Sequence, residues 1–355
     1  MRWDTRLNFK AKEISFFNTG KGGITEYVLR NGMAEISDDT QMTLFTAAGL
    51  LCGSATGLTN DINIYPKYIL AAYRDWYKTQ TERYPLRGAR SSWLVNLPQM
   101  FSRRAPGNTC LSALSDQHAA CGSMLHPINH SKGCGGVMRV APIGLYFEEK
   151  KWSLDEIDMI GAQAAAITHG HSLGYIPAAA LVHIVNVLSH QDGVSIKYAV
   201  NDMLIAIKRL FAQDKHLKEF TNKIEAAIDL SQDNTIPPLD AIHKLGQGWA
   251  AEETLAIAVY CSLKWQNDFE KAIVAAVNHG GDSDSTGAVM GNIMGESLGL
   301  DGIPSKYLDC LELKSIILDV ADDLYHDCPF DDHGTCLDKI WEKKYLDNTY
   351  VPERR

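Results

Sequence analysis

Apolar residues recur at three- and four-residue intervals along almost every long segment of this chain, and that spacing restricts it to a fold built from helices. In "DDTQMTLFTAAGLLCG" the residues Met42, Phe45, Ala48 and Cys52 share one face. The same rhythm runs through "SLGYIPAAALVHIVNVLSH", "IKYAVNDMLIAIKRLFA", "TLAIAVYCSLKW" and "DFEKAIVAAVNH". Alternating runs that would pair as strands are scarce, and the best is the short "GGITEYVL". Breakers at "RAPGNT", "HPINHSKGCGG", "SQDNTIPPLD" and "CPFDDHGT" mark loops. None is long or biased enough to link two domains, and no internal repeat is present. With 355 residues the chain has ample material for one core. The expectation is an all-α fold, a single domain over residues 1–355.

A formal charge of -9 excludes a broad nucleic-acid-binding face. Arg2, Arg6, Lys10 and Lys12 make a mild basic N-terminus, read as a solvated end. No apolar run is expected to approach the roughly 20 residues that span a bilayer, and the N-terminal stretch lacks a signal peptide's apolar segment. Eight cysteines are scattered without a CxxC pair. That pattern suits reduced thiols in the cytoplasm better than a disulfide framework or a zinc site.

The segment "NHGGDSDSTGAVMGNIMGESLG" sets Asp282 and Asp284 ahead of glycines at 287, 291, 295 and 299. Glycines four apart on a helix make a smooth stripe where a second helix can approach closely, and a helix is expected to start near Thr286. Asp282, Asp284 and Ser285 have two readings. They cap a helix start, or they offer oxygen ligands to Mg2+, Mn2+ or Ca2+. "DSDSTG" opens like a calcium loop of the EF-hand type, but the twelfth position is Ile293 where a glutamate is required. A second acidic cluster, Ser37-Asp38-Asp39-Thr40, precedes the first strong helix and reads alone as an N-cap with first-turn acids. Spacing does not show whether the two clusters meet. If they do, four carboxylates converge, and only cations make such a concentration of charge tolerable.

Taken in order, "AEISDDTQMTLFTAAGLL", "RAPGNTCLSAL", "SKGCGGVMRVAPIGLYF", "ITHGHSLGYIPAAAL", "GWAAEETLAIAVYC" and "NHGGDSDSTGAVMGNIMG" resemble the ADP-ribosylglycohydrolase family, and within it the bacterial branch that includes the dinitrogenase reductase activating glycohydrolase. The matches run from about Gly23 to about Leu324. The resemblance implies an orthogonal helical bundle with two divalent cations, Mg2+ or Mn2+, at the floor of an ADP-ribose cleft. It assigns the metal ligands to Ser37, Asp38 and Asp39 and to Asp282, Asp284 and Ser285. Asp284 would bridge the ions, and Asp38 or Asp39 would also touch the ribose near the scissile bond, as the catalytic acids.

"SKGCGGVMR" supplies Gly133, Gly135 and Gly136, whose backbone amides can turn towards anionic oxygens. It lacks the Gly-Lys-Ser/Thr of a Walker loop. By resemblance, Lys132, Gly133, Cys134, Gly135, Gly136, Val137 and Met138 form the substrate loop, and His169 of "THGHS" contacts the ribose, with His171 structural. Cys134 as a nucleophile has no base beside it in sequence. His126 and His130 have helical spacing, but Pro127 argues against a helix there, and zinc lacks a third ligand.

One departure stands out. The family begins with a helix bearing G-D-A-x-G and then a glutamate, and "MRWDTRLNFKAKEISFF" has neither motif nor matching acid. Asn8 falls near the expected position, and Glu13 and Glu35 are the nearest acids. The leading expectation is therefore hydrolysis of the bond between ADP-ribose and an acceptor. The alternatives are an ADP-ribose-binding or crystallin-like relative without turnover, and a calcium-stabilised helical protein. An ADP-ribosylated substrate is the expected partner, with neither membrane nor general nucleic-acid binding.

Overall fold

The computed structural model describes residues 29–56, 61–115, 122–148, 151–330 and 336–352. Among them lie fourteen α-helices: α1 (Asp38–Ala55), α2 (Tyr65–Thr81), α3 (Asn108–Leu114), α4 (Ala141–Tyr146), α5 (Leu154–Ala166), α6 (Ser172–His190), α7 (Ile196–Leu210), α8 (Leu217–Gln232), α9 (Pro238–Leu245), α10 (Ala251–Lys264), α11 (Phe269–Val277), α12 (Ser283–Leu298), α13 (Lys314–His326) and α14 (Lys339–Tyr345). Extended pairing among the described residues is limited to isolated bridges such as Ala34 with Leu311 and Gly133 with Ala250. The fold is all-α. "GGITEYVL" lies outside the described residues except for Leu29, as do the N-terminal basic residues, Asn8 and Glu13.

The helices begin where local chemistry satisfies their first amides. Ser153 and Glu156 close a reciprocal capping box ahead of α5, and Ser195, Asp268 and Asp338 cap α7, α11 and α14 with their side chains. At the hub is α6, packed against α4, α5, α7, α10 and α12. This 19-residue helix contains an 18-residue stretch of mean hydropathy 1.5, long and apolar enough to cross a membrane, so the expectation that no run approaches that length is corrected. Yet 83% of its most apolar window is buried inside the protein, which makes it a core helix. On one side of this hub α1 packs against α2, α13 and α14, and on the other α10 lies between α8 and α12. One continuous apolar core joins them.

The glycine row behaves differently from its reading as a helix-packing stripe. A side chain at Gly287 would meet Val277 of α11 at 2.8 Å, so this glycine does admit a neighbouring helix. Gly291 and Gly295 face open space, with nothing within 4 Å of where a side-chain carbon would stand, and Gly299 ends α12 at φ +67. Helical periodicity identified the shared face but not what lies opposite it. The helix also starts three residues earlier than Thr286, at Ser283.

A buried ion-pair network ties three helices together. His183 on α6 sets Nδ1 2.8 Å from Asp158 Oδ2 on α5 and Nε2 3.3 Å from Asp202 Oδ2 on α7. Burial pushes the Asp158 carboxyl up to about 6, with His183 opposing that rise. Burial works against the His183 imidazolium, but its hydrogen bonds and the charges of Asp158 and Asp202 outweigh it and raise its pKa. Replacing His183 with leucine leaves a buried carboxylate without its cation. His183→Leu is expected to cost about 3–5 kcal/mol at neutral pH. The loss should shrink at pH 5, below the Asp158 value, where that carboxyl is protonated. Urea unfolding at the two pH values checks this, and an equal loss at both would exclude Asp158 as the cause.

Candidate functional site

The first acidic cluster is held from behind by residues far along the chain. The Ala34 amide donates to the Cys310 carbonyl at 2.7 Å, and the Glu312 amide returns to the Ala34 carbonyl at 3.0 Å. Glu312 Oε2 accepts the Ile36 amide at 3.0 Å, while Arg104 pairs with both Glu312 and Glu35. The Arg104 carbonyl in turn accepts the Asp38 amide at 3.2 Å. Glu35 is thus committed to Arg104. Ser37 occupies the N-cap position of α1 but makes no cap bond, and its hydroxyl instead donates to Asp39 Oδ2 at 2.9 Å.

The second cluster is fixed in the same manner. Gly281 lies so close to the Gln247 carbonyl that any side chain there would overlap it, at 1.7 Å, and the Asp282 amide donates to that carbonyl at 2.8 Å. His279 accepts the Gly281 amide at Nδ1, so its neutral ring carries the proton on Nε2 and donates it to Thr286 Oγ1 at 2.9 Å. Burial lowers the His279 pKa to about 4, in keeping with a neutral ring. Asp282 holds the N-cap position of α12 and, like Ser37, makes no cap bond. Both acidic turns therefore forgo the ordinary helix-capping role and present their carboxylates elsewhere.

They present them to each other. Carboxylate oxygens of Asp38, Asp39 and Asp284 all lie within 4.8 Å of one another across about 240 residues of sequence. Asp282 and Ser285 line the same cavity, whose volume is about 550 Å³. All four acids are buried, Asp39 at 1% exposure, and Asp39 Oδ1 has no hydrogen-bond partner. Burial, then the charges of Asp39 and Asp284, hold the Asp38 carboxyl well above the usual carboxylate range. Burial, then Asp284, push Asp39 up to about 7. Burial, then Asp284, raise Asp282 likewise. An orphaned buried oxygen among crowded, all-oxygen donors fits a hard divalent cation. Asp282 stands outside the close trio, and its Oδ2 accepts the Cys134 thiol at 2.7 Å.

The remaining wall comes from the loop before and within the 3-10 turn Cys134–Arg139. Gly133, Cys134, Gly135 and Met138 line the cavity beside His169. A side chain on Gly135 would meet His169 Cε1 and Cys110 Sγ at 2.9 Å, so loop and histidine are packed as one unit. His169 Nδ1 is 2.8 Å from the Thr168 hydroxyl, which Arg139 holds at 2.7 Å. Burial, then Arg139, lower the His169 pKa to about 3 and keep it neutral. Three residues expected in the substrate loop sit differently. Lys132 turns its ammonium to Glu252 at 2.5 Å and Glu219 at 3.6 Å, outside this cavity, because the buried Glu252 needs a cation. Gly136 and Val137 pack beneath the surface, Gly136 against the Gly174 carbonyl, where a side chain would come within 2.7 Å. Two loop amides are also engaged, Gly133 by Ser131 Oγ and Cys134 by the Trp249 carbonyl. Burial, then Asp282, raise the Cys134 thiol well above its ordinary value, which removes it as a nucleophile. His171 caps α6 by accepting the Leu173 amide, the structural role expected of it, and residues 126–130 are not helical.

Several lining residues carry no signal in the sequence. Ala105, at φ +61, and Gly107 come from "RAPGNT", and the Gly107 amide donates to Asp38 Oδ2 at 3.3 Å. Trp249 is 54% exposed at the lip between this cavity and a neighbouring groove lined by Lys132, His243 and Glu253. An exposed tryptophan is uncommon enough to mark a contact surface, but only once its place is known.

Comparison with known proteins identifies the family of the chain. A family model described as ADP-ribosylglycohydrolase matches residues 3–333, a longer span than the motifs alone cover. An uncharacterized protein of Archaeoglobus fulgidus is 32% identical over 198 residues, covering 55% of this chain and 58% of that one. The ADP-ribosylhydrolase ARH3 of Homo sapiens is 26% identical over 205 residues, covering 51% of this chain and 54% of the relative. The ADP-ribosyl-[dinitrogen reductase] glycohydrolase of Rhodospirillum rubrum is 44% identical over 46 residues, 13% of this chain and 16% of that one. The chain thus aligns with little more than half the length of the first two. A solved structure titled "ADP-ribosylglycohydrolase-related protein complex" superposes with a TM-score of 0.53 at 22% identity, covering 87% of this chain and 84% of the other, and shares the fold.

The raised carboxyls link this site to pH. Asp39 titrates at about 7 in the folded chain against an ordinary 3.8, so its contribution to stability is full below about pH 4 and is lost as pH rises through 7. For this one group the loss is on the order of 4 kcal/mol. Protein treated with chelator is expected to lose stability from pH 4 to pH 8, and Mg2+ is expected to restore it at pH 8 with release of protons. Thermal unfolding with and without the ion checks this. A melting temperature indifferent to Mg2+ at pH 8 would remove the cation from the site.

Proposed function

The chain belongs to the ADP-ribosylglycohydrolase family, and from that premise we propose that it hydrolyses the glycosidic bond linking ADP-ribose to an acceptor. The observation that carries this reading is the convergence of Asp38, Asp39 and Asp284 on one buried cavity. In this proposal Ser37, Asp38, Asp39, Asp282, Asp284 and Ser285 hold two divalent cations, Mg2+ or Mn2+. Such ions, when bound, would neutralise the acids, orient ribose hydroxyls and lower the pKa of water. Asp38 and Asp39 would accept protons at the reacting centre. His169, neutral and braced through Thr168 by Arg139, offers its Nε2 edge to a ribose hydroxyl. Gly133 and Gly135 line the cavity and let the loop pack closely against His169, and Lys132 secures the loop's position through Glu252. The seven cysteines among the described residues are free thiols, which supports the cytoplasm as the compartment.

A second reading, ADP-ribose binding without turnover, is favoured by one observation. Among the described residues no glutamate lines the cavity, and Glu35 is paired with Arg104. The two readings part on product release. Under the first, the protein frees ADP-ribose from ADP-ribosylated arginine, serine or nucleic-acid substrates in Mg2+. Asp284→Asn should lower that rate by at least about 100-fold with helix content unchanged. Binding of ADP-ribose by calorimetry without any release from these substrates would decide for the second reading.

The loop is tested separately. Gly135→Ala puts a carbon against His169 and Cys110 in a tightly packed wall. A loss of about 10-fold in ADP-ribose affinity is expected, together with a stability cost of about 1–3 kcal/mol from the overpacked wall. Unaltered affinity would separate this loop from the ligand.

A further inference from the structure

The carboxylate centre contains one donor that is not oxygen. Cys134 Sγ lies 2.7 Å from Asp282 Oδ2, and its next polar neighbours are the Ser285 hydroxyl and the Asp39 carboxylate. The thiol thus touches the acidic turn that opens α12 and lines the same cavity as the close trio of acids. Asp39 Oδ1, buried on the same cavity wall with no hydrogen-bond partner, belongs to the neighbouring trio and points to a cation in this cavity. The second cysteine on the wall is placed differently, because Cys110 Sγ sits 3.5 Å from the Arg139 guanidinium, whose charge repels a metal ion.

Hard ions such as Mg2+ take oxygen ligands, whereas thiolate sulfur selects softer ions. We propose that Cys134, with Asp282, turns one side of this centre into a site for thiophilic cations, Zn2+, Cd2+ or Co2+, which bind there in preference to Mg2+. The inference rests on the reading of the acids as cation ligands and adds a ligand to it. A sulfur–metal bond forms as the S–H bond breaks, and the proton leaves to solvent, with no change of oxidation state. Typical bond lengths of about 2.3 Å to sulfur and about 2.1 Å to oxygen require the two atoms to move apart by under about 1 Å. A side-chain rotation within the cavity supplies that. Bound Zn2+ or Cd2+ would then compete with Mg2+ for the Asp282 side of the centre.

The test uses the full chain and the metal alone. Co2+ or Cd2+ is added to wild type, Cys134→Ser and Cys110→Ser, with binding followed by calorimetry and by the ultraviolet thiolate-to-metal charge-transfer band. The band is expected in wild type and Cys110→Ser and absent in Cys134→Ser. Cys134→Ser should bind Cd2+ at least about 100-fold more weakly and lose the wild type's preference for Cd2+ over Mg2+. A band that survives in Cys134→Ser, or stoichiometric Cd2+ binding in wild type without a band, overturns the role of the sulfur while leaving the carboxylate site standing. Failure of every cation to bind wild type overturns both. Circular dichroism of each variant shows that helix content is kept.

Discussion

Like charges held together in a buried cavity are the constraint from which the rest of this structure follows. At 4.8 Å and an effective dielectric near 20, two carboxylates repel by about 3.5 kcal/mol. Three such pairs together rival the roughly 5–15 kcal/mol that stabilises a whole domain. The dominant influences on Asp38, Asp39 and Asp282 are burial and the charges of neighbouring acids, Asp284 among them, with no lysine or arginine prominent. Arg139 is fully buried nearby, yet it is spent on the Thr168 hydroxyl, the Ala164 carbonyl and the ring of Tyr73. Protons or divalent ions are what remain to balance the charge.

A site of that kind needs a rigid frame, because carboxylates left free would rotate apart. The frame here is built from behind. Glu312 and Arg104 grip the segment ahead of α1, and Gln247, His279 and Thr286 grip the turn ahead of α12. The apolar helix α6 packs on α12 and on the turn Cys134–Arg139, and α1 contacts both of those elements. The hydrogen bonds that would ordinarily cap α1 and α12 are given up by Ser37 and Asp282, and the gripping contacts replace them. Ala105, held in a left-handed conformation at the cavity edge, is a further place where local strain is tolerated for the sake of the wall.

How far the sequence foretold this differs by the range of the interaction. Helices with a clear 3.6-residue rhythm, such as those containing Met42 to Cys52 or Ser172 to His190, were readable because periodicity is local. The partners of a face are not. Gly291 and Gly295 share a stripe with Gly287, but only Gly287 has a close helix neighbour. Lys132 stands beside the glycines in sequence, but its charge answers a buried glutamate 120 residues away. The meeting of Asp38 and Asp39 with Asp284 came only from resemblance to a family, since no spacing rule joins residues so far apart. Trp249 and Gly107 escaped notice because a tryptophan and a glycine have no chemistry until the cavity around them exists.

The fate of Lys132 bears on how an anion could be held here. With its ammonium paired to Glu252 and Glu219, the loop supplies no free side-chain charge to a diphosphate. The Gly133 and Cys134 amides are also engaged within the protein. An anionic ligand entering a chain of net charge -9 would then meet four acids and one neutral histidine on the cavity wall. Under the proposed function, attraction would come from cations held by those acids, with the remaining turn amides and the exposed face of Trp249 adding to it. Under that proposal, affinity for an anionic nucleotide and occupancy by metal would be one property, so a change that weakens either would weaken both.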